Sequence, residues 1–231
     1  MSADSAQNPD TMIRLDHVSV SFERQPVLTD VVLEIRRGEF VCLVGDTGSG
    51  KTTLLRLIYF DLLPEEGTVT VGAFSTSSAR KRDIPKLRRT LGIVFQDFRF
   101  LEDRTVFENV SFTLEVTGAK KAEIGKKVLQ ALADVGLSHK RNGMPHELSG
   151  GEQQRMVIAR ALVNDPLVIL ADEPTGNLDL ATSLEILQLL KKINSRGTAV
   201  ILATHNHELV RRSGSRIIGV RERSVSEIAG V

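Results

Sequence analysis

The chain has 231 residues, 41% hydrophobic and 26% charged, a size and balance that suit one large globular domain or two lobes sharing a core. A net charge of +1 argues against bulk electrostatic binding to nucleic acid or anionic lipid, and the single cysteine, Cys42, excludes an intrachain disulfide framework and fits a reducing compartment. No run approaches the ~18 apolar residues of a membrane helix, and Met1–Asp10 lacks the charged-then-apolar pattern of a secretory signal, so the expected location is the cytosol.

In chain order, residues 1–11 read as a disordered tail and 12–231 as one domain. Ile13, Leu15, Val18, Val20 and Phe22 alternate with polar residues, which predicts a strand with a slip near His17. Val27 to Ile35 repeats the pattern, Arg37-Gly38 supplies a turn, and Phe40 to Val44 is a buried strand in which Cys42 reads as a small apolar residue. Gly67 to Gly72 is a further short strand, and these peripheral strands predict a small antiparallel sheet. Ser75 to Lys86, with Arg80, Lys81 and Arg82 together, reads as a solvated loop leading into a helix. Gly92 to Phe95 is a strand ending at Gln96, and from Thr105 to Leu137 apolar residues recur at helical spacing with a break near Thr117-Gly118. This predicts a helical lobe, over about 97–160, inserted between core strands. Leu167 to Ala171 and Ala199 to Ala203 are continuous apolar strands, Arg216 to Val220 a weaker one, with helices over Leu184 to Ile193 and His207 to Arg212 between them. Apolar strands alternating with helices mean an α/β fold with a mostly parallel sheet covered on both faces.

Three stretches carry chemistry. Gly45-Asp46-Thr47-Gly48-Ser49-Gly50-Lys51-Thr52 fits G-x-x-x-x-G-K-[ST] between a strand and a helix that opens at Thr53. Glycines let successive N–H groups converge on one anion, a helix N-terminus lies beneath it, Lys51 faces the β- and γ-phosphates, and the Thr52 hydroxyl is placed for Mg²⁺. Asp172-Glu173 follows the strand Leu167 to Ala171, at the sheet edge where such folds bind ligands. Asp172 suits the metal, directly or through water, and Glu173 suits polarising an attacking water; an acidic turn is the plainer alternative. Ser149 and Glu152 make a capping box at a helix start that also holds Gly150 and Gly151, a second phosphate cradle. One nucleotide does not need two cradles from one chain, so the economical arrangement is two chains, each completing the other's site.

Leu148-Ser149-Gly150-Gly151-Glu152-Gln153, together with the phosphate loop, resembles the signature motif of ATP-binding-cassette (ABC) ATPases, and the resemblance spans 12–220. It implies a P-loop NTPase fold, ATP and Mg²⁺ as ligands, and a homodimer with two ATPs sandwiched between phosphate loops and opposing signature motifs. It further implies that Phe22 stacks on adenine, where the residue type alone also allows an edge-strand core residue. Gln96 is similar to the glutamine that touches Mg²⁺ and reports to a membrane partner, Asn177-Leu178-Asp179 to the loop that brings Asp179 to the nucleotide, and His205 to the histidine that contacts the γ-phosphate. His146 and His207 have no such support. His205-Asn206 departs from the common His-Asp, and no role falls to the residues after Gly214.

Phe95–Leu101 and Asp103–Val110 look like the cell-division branch of the family, while Leu148–Arg155 and Ala171–Asp179 are shared with lipoprotein-releasing and macrolide-exporting relatives. The resemblance implies a polytopic membrane subunit docking near Gln96–Leu101, with Phe98, Phe100 and Leu101 as apolar anchors, and the chain held at the inner face of the membrane through that subunit. Nucleic acid is not an expected partner, because the chain carries neither a basic stripe nor a coiled-coil insertion.

Overall fold

The computed structural model describes residues 10–228. Asp10 lies in a turn and Thr11 already opens a strand, so the expected tail does not extend to these two residues; residues 1–9 lie outside the described residues. Strands β1 (Thr11–Phe22) and β2 (Gln25–Arg36) form a hairpin whose turn residues Glu23 and Arg24 both have positive φ, 50° and 67°. That is the backbone a tight hairpin needs to match strand twist. The slip near His17 is a bulge: the pairing shifts between Leu15 and Val18, and His17 has φ of 51°. β4 (Glu66–Val71) and β5 (Phe74–Ser75) complete an antiparallel sheet of order β2-β1-β4-β5.

The second sheet contains β3 (Phe40–Val44), β6 (Leu91–Val94), β7 (Val168–Asp172), β8 (Ala199–Thr204), β9 (Arg216–Arg221) and β10 (Ser224–Glu227), in the order β10-β9-β3-β8-β7-β6. All pairs are parallel except β10 with β9. Alternate residues of β3 feed two cores. Val41 and Leu43 face the antiparallel sheet together with helix α1 (Lys51–Ile58), and Cys42 and Val44 face the helical side. Burial on both faces is why these strands read as unbroken apolar runs.

Short helix α2 (Ile84–Arg89) follows the basic loop. Helices α3 (Val106–Thr117), α4 (Lys121–Asp134) and α5 (Gly150–Leu162) pack on one another, with Val110, Leu114, Val128, Leu132, Met156 and Ile158 buried between them. The break near Thr117-Gly118 is a helix end: Gly118, at φ of 83°, takes the left-handed conformation that closes α3. Helix α6 (Leu180–Asn194) starts earlier than its apolar periodicity suggests, because Asp179 caps it, and α7 (His207–Ser213) leads into β9. The residues after Gly214, to which sequence reasoning gave no role, hold an inner strand of the main sheet, since β9 pairs with β3 over Val41 to Val44.

Candidate functional site

Gly45 to Lys51 wraps the C-terminal end of β3 into the start of α1. Gly48 and Gly50 sit at φ of 80° and 109°, a region that side chains with a Cβ rarely adopt, so glycine is required for the curl. A Cβ on Gly45 would stand 2.4 Å from the Val220 carbonyl and 2.6 Å from Ser49 Oγ. Lys51 is buried, and its ammonium donates to the carbonyls of Gly45 at 2.6 Å and Asp46 at 3.0 Å, which ties the loop across itself. Ser49 Oγ is buried on the Gly45 side of the loop with no hydrogen-bond partner among the described residues. A glycine curl at a helix N-terminus, with a buried lysine across it, suits a phosphate, so the loop fits its expected ligand. Asp46 and Thr47 are exposed in the loop, and Thr53 is buried in the first turn of α1.

The carboxylates come from the end of β7, two strands away. Thr52 Oγ1 donates to Asp172 Oδ2 at 2.8 Å, which places a hydroxyl and a carboxylate, both hard oxygen donors, side by side. Burial holds the Asp172 carboxyl above its ordinary range; Thr52 and Lys51 oppose that rise and Glu173 adds to it. A bound divalent cation removes the penalty, because it returns a counter-charge to a half-buried acid. Among the described residues no group of three or more His, Cys, Asp or Glu could hold a metal alone. The Thr52–Asp172 pair therefore fits Mg²⁺ shared with substrate phosphate oxygens, the usual arrangement for that ion.

Glu173 has φ of 46°, an outlier for a residue with a side chain, and its N–H donates to the Ala203 carbonyl of β8 at 2.9 Å. The turn aims Glu173 Oε1 at His205 Nδ1, 2.9 Å away, and at the Lys51 ammonium, 3.6 Å away. Thus Lys51, Glu173 and His205 meet at the ends of β3, β7 and β8. Asn206, where relatives of this kind commonly carry Asp, accepts the N–H groups of Glu208 and Leu209 at 3.0 and 3.3 Å and caps α7. The missing charge is not missed for capping.

Gln96 follows β6, is exposed, and lines a 650 Å³ cavity together with Thr52 and Asp172. A Cβ on Gly176 would lie 4.0 Å from Gln96 Nε2, so the loop after Glu173 borders the glutamine. A separate 350 Å³ cavity holds Ser149, Gly150, Gly151 and Glu152 together with Asn177, Leu178 and Asp179, and it shares no lining residue with the first. There Ser149 Oγ accepts the Glu152 N–H at 3.3 Å and Glu152 accepts the Ser149 N–H at 2.9 Å. Asp179 accepts the Thr182 N–H at 3.0 Å and the Thr182 hydroxyl at 2.6 Å; the hydroxyl first, then the backbone, holds its carboxyl below the ordinary range. Within one chain, the two cradles are therefore two places.

Phe22 is 40% exposed at the end of β1. Its hairpin also supplies Val27 and Leu28, which lie against Gly50 with Leu28 Cδ2 3.2 Å from where a Cβ would stand. At that exposure Phe22 is not a core residue. One arginine escaped sequence reasoning: Arg160, whose Nη1 donates to the Arg99 carbonyl at 2.7 Å. A charge inside the apolar run Met156 to Leu162 was the available signal for Arg160.

Comparison with known proteins agrees with this geometry. The family model for ABC transporter matches residues 28–176, and the chain belongs to that family, as an ATPase. It is similar to the cell division ATP-binding protein FtsE of Mycobacterium tuberculosis, 50% identical over 209 residues covering 90% of this chain and 91% of that one. FtsE of Escherichia coli is 43% identical, over 90% of this chain and 94% of its own. Among solved structures, a dimeric ATP-binding cassette in a post-hydrolysis state, bound to ADP and Pi, superposes with a TM-score of 0.82 at 36% identity. It covers 95% of this chain and all of its own.

Proposed function

We propose that the chain is the ATP-hydrolysing subunit of an FtsE–FtsX-type complex in bacterial cell division, where it would act in control of cell-wall hydrolysis. The observation that carries the reading is the convergence of Lys51, Glu173 and His205 at 2.9 and 3.6 Å beside the Thr52–Asp172 pair. Lys51 and the loop N–H groups hold the β- and γ-phosphates. Glu173, turned inward by its backbone, takes the proton of the attacking water. His205, hydrogen-bonded to Glu173, orients that carboxylate and faces the γ-phosphate. Thr52, Asp172 and Gln96 would hold Mg²⁺, which would supply charge neutralisation on the phosphate oxygens. Phe22 stacks on the base.

The separation of the two cradles supports a head-to-tail homodimer, in which Ser149 to Glu152 and Asp179 of one chain cover the phosphates held by the other. The solved relative is itself a dimer. No helix among the described residues is long and apolar enough to cross a membrane. The chain then works from the cytoplasm, bound to the membrane through a polytopic FtsX-like subunit docked near Gln96–Leu101. Glu173→Gln is the test. ATP binding should persist while turnover falls roughly 10²–10⁴-fold, the worth of one positioned acid–base group. Hydrolysis near the wild-type rate in that variant removes Glu173 from the role.

A further inference from the structure

Phe22 and the phosphate loop belong to different sheets: the ring stands on the antiparallel one, and the loop grows out of β3 in the other. The hairpin of β9 and β10 lies against both. β9 pairs with β3 over Val41 to Val44, and its Val220 carbonyl stands 2.4 Å from where a Cβ on Gly45 would lie. On its other side the hairpin turn meets β2, where the Thr29 N–H donates to the Arg223 carbonyl at 2.8 Å. Glu222 and Arg223 both have positive φ, 48° and 67°, the backbone of a tight hairpin turn. Arg216 of β9 adds a second tie: its Nη1 donates to the Glu34 carbonyl of β2 at 2.9 Å and to Glu39, just before β3, at 3.2 Å.

β2 is bent to reach that turn. Its pairing with β1 steps from Val20–Leu28 to Val18–Val31, so Thr29 and Asp30 stand opposite the single residue Ser19. This bulge is pinned at Asp30, at φ of 51°, whose N–H donates to Ser19 Oγ at 3.1 Å and whose carboxylate lies 2.6 Å from His17 Nδ1. It turns the Thr29 N–H towards the Arg223 carbonyl. One residue away, Leu28 packs on the floor of the phosphate loop at Gly50.

Apolar packing between two sheets is non-directional, whereas a hydrogen bond has a preferred distance and angle and so fixes their offset. We propose that the Thr29 N–H and the Arg223 carbonyl form a clamp that sets the distance between the Phe22 ring and the phosphate loop. The β9–β10 hairpin then positions the nucleotide without touching it, and Thr29 and Arg223 are positioning residues. The inference rests on the reading that Phe22 stacks on the base, and it names what holds that ring in place. Such a clamp matters only to a ligand that spans both sheets. Its loss should weaken a nucleotide and spare a ligand made of phosphates alone.

The test measures binding of ADP and of pyrophosphate, each with Mg²⁺, to the full chain by calorimetry. Phe22→Ala sets the scale. It should raise the ratio of the ADP Kd to the pyrophosphate Kd roughly fivefold or more, the usual worth of a base stacked on an aromatic ring. Thr29→Pro removes the N–H, and a pair of glycines inserted between Glu222 and Arg223 displaces the carbonyl. Either change should raise the same ratio about threefold or more, within the net worth of one hydrogen bond. Thr29→Ala keeps the N–H at an exposed position and should leave the ratio within about twofold of wild type. Melting curves show which variants are folded, and the two changes break the contact from opposite sides, so one can stand in for the other. A ratio that rises less than about threefold overturns the proposal, including the case in which both ligands weaken equally and the contact supports the fold alone. A Phe22→Ala chain whose ratio does not move shows instead that the stacking reading has failed.

Discussion

The chain builds two glycine-rich cradles from similar residues and for different physical reasons. In the phosphate loop, Gly48 and Gly50 are needed for backbone conformation, and Lys51 is buried and cross-links the loop. In the signature segment, Ser149 and Glu152 satisfy each other, and the glycines adopt ordinary helical backbone. Their missing Cβ atoms make room for neighbours: one on Gly151 would lie 2.6 Å from Thr182 Cγ2, and one on Gly150 would lie 3.2 Å from Leu178 Cδ2. The first cradle is preorganised to bind by itself. The second is a helix end locked against the loop Asn177 to Asp179, rigid and exposed, so it acts on something brought to it.

The comparison breaks most sharply at Gly45. Gly45→Ala drives a methyl into the Val220 carbonyl, which β9 cannot withdraw because it is paired with β3. Overpacking of this kind costs about 1–3 kcal/mol, and the loop relieves it by shifting away from the preformed geometry that suits phosphate. ATP affinity of the isolated chain, measured by a fluorescent nucleotide, should fall roughly tenfold or more. Unchanged affinity would mean that the loop is not preorganised by β9.

Gly151→Ala separates the cradles. Thr182 cannot rotate away freely, because its hydroxyl is held by Asp179 at 2.6 Å. The added methyl therefore displaces the loop Asn177 to Asp179 from the helix start. Nucleotide binding by the isolated chain should stay within about twofold of wild type, since that change is well under one 1.4 kcal/mol decade. ATP-induced dimerisation, followed by light scattering with the Glu173→Gln background to block turnover, should weaken about tenfold. Loss of binding to the monomer would place both cradles on one nucleotide in one chain and defeat the sandwich.

Much of this was legible in the sequence because it is local. The phosphate loop, the acidic pair after β7 and the capping box each depend on residues a few positions apart, and the alternation of apolar strands with helices gave the sheet. What was not legible is what distant segments do to one another. β9 is a weak run, interrupted by Gly219, and only its pairing with β3 makes it part of the phosphate-loop wall. The early start of α6 comes from the Asp179 cap, which apolar periodicity does not register. Arg160 reads as one polar residue on a helix until Arg99 and the groove between α5 and β6 are in place.

The smallest effect falls on the capping box, and it sharpens the view of the signature helix as prebuilt. Ser149→Ala removes the acceptor for the Glu152 N–H and should cost about 1 kcal/mol. For a chain of this size that is a Tm lower by roughly 2–4 °C. The Glu152 carboxyl is held below its ordinary value, first by the Ser149 backbone N–H and then by the Ser149 hydroxyl. A carboxyl with a lowered folded-state pKa contributes stability above the ordinary glutamate range, and that contribution disappears as pH falls through the lowered value. The Tm gap between Ser149→Ala and wild type should therefore be widest near neutral pH and narrow towards acid, where protonated Glu152 no longer supports the cap. A gap that stays constant with pH would mean that the hydroxyl and the carboxylate act independently. The helix start would then not be the rigid surface that a second chain requires.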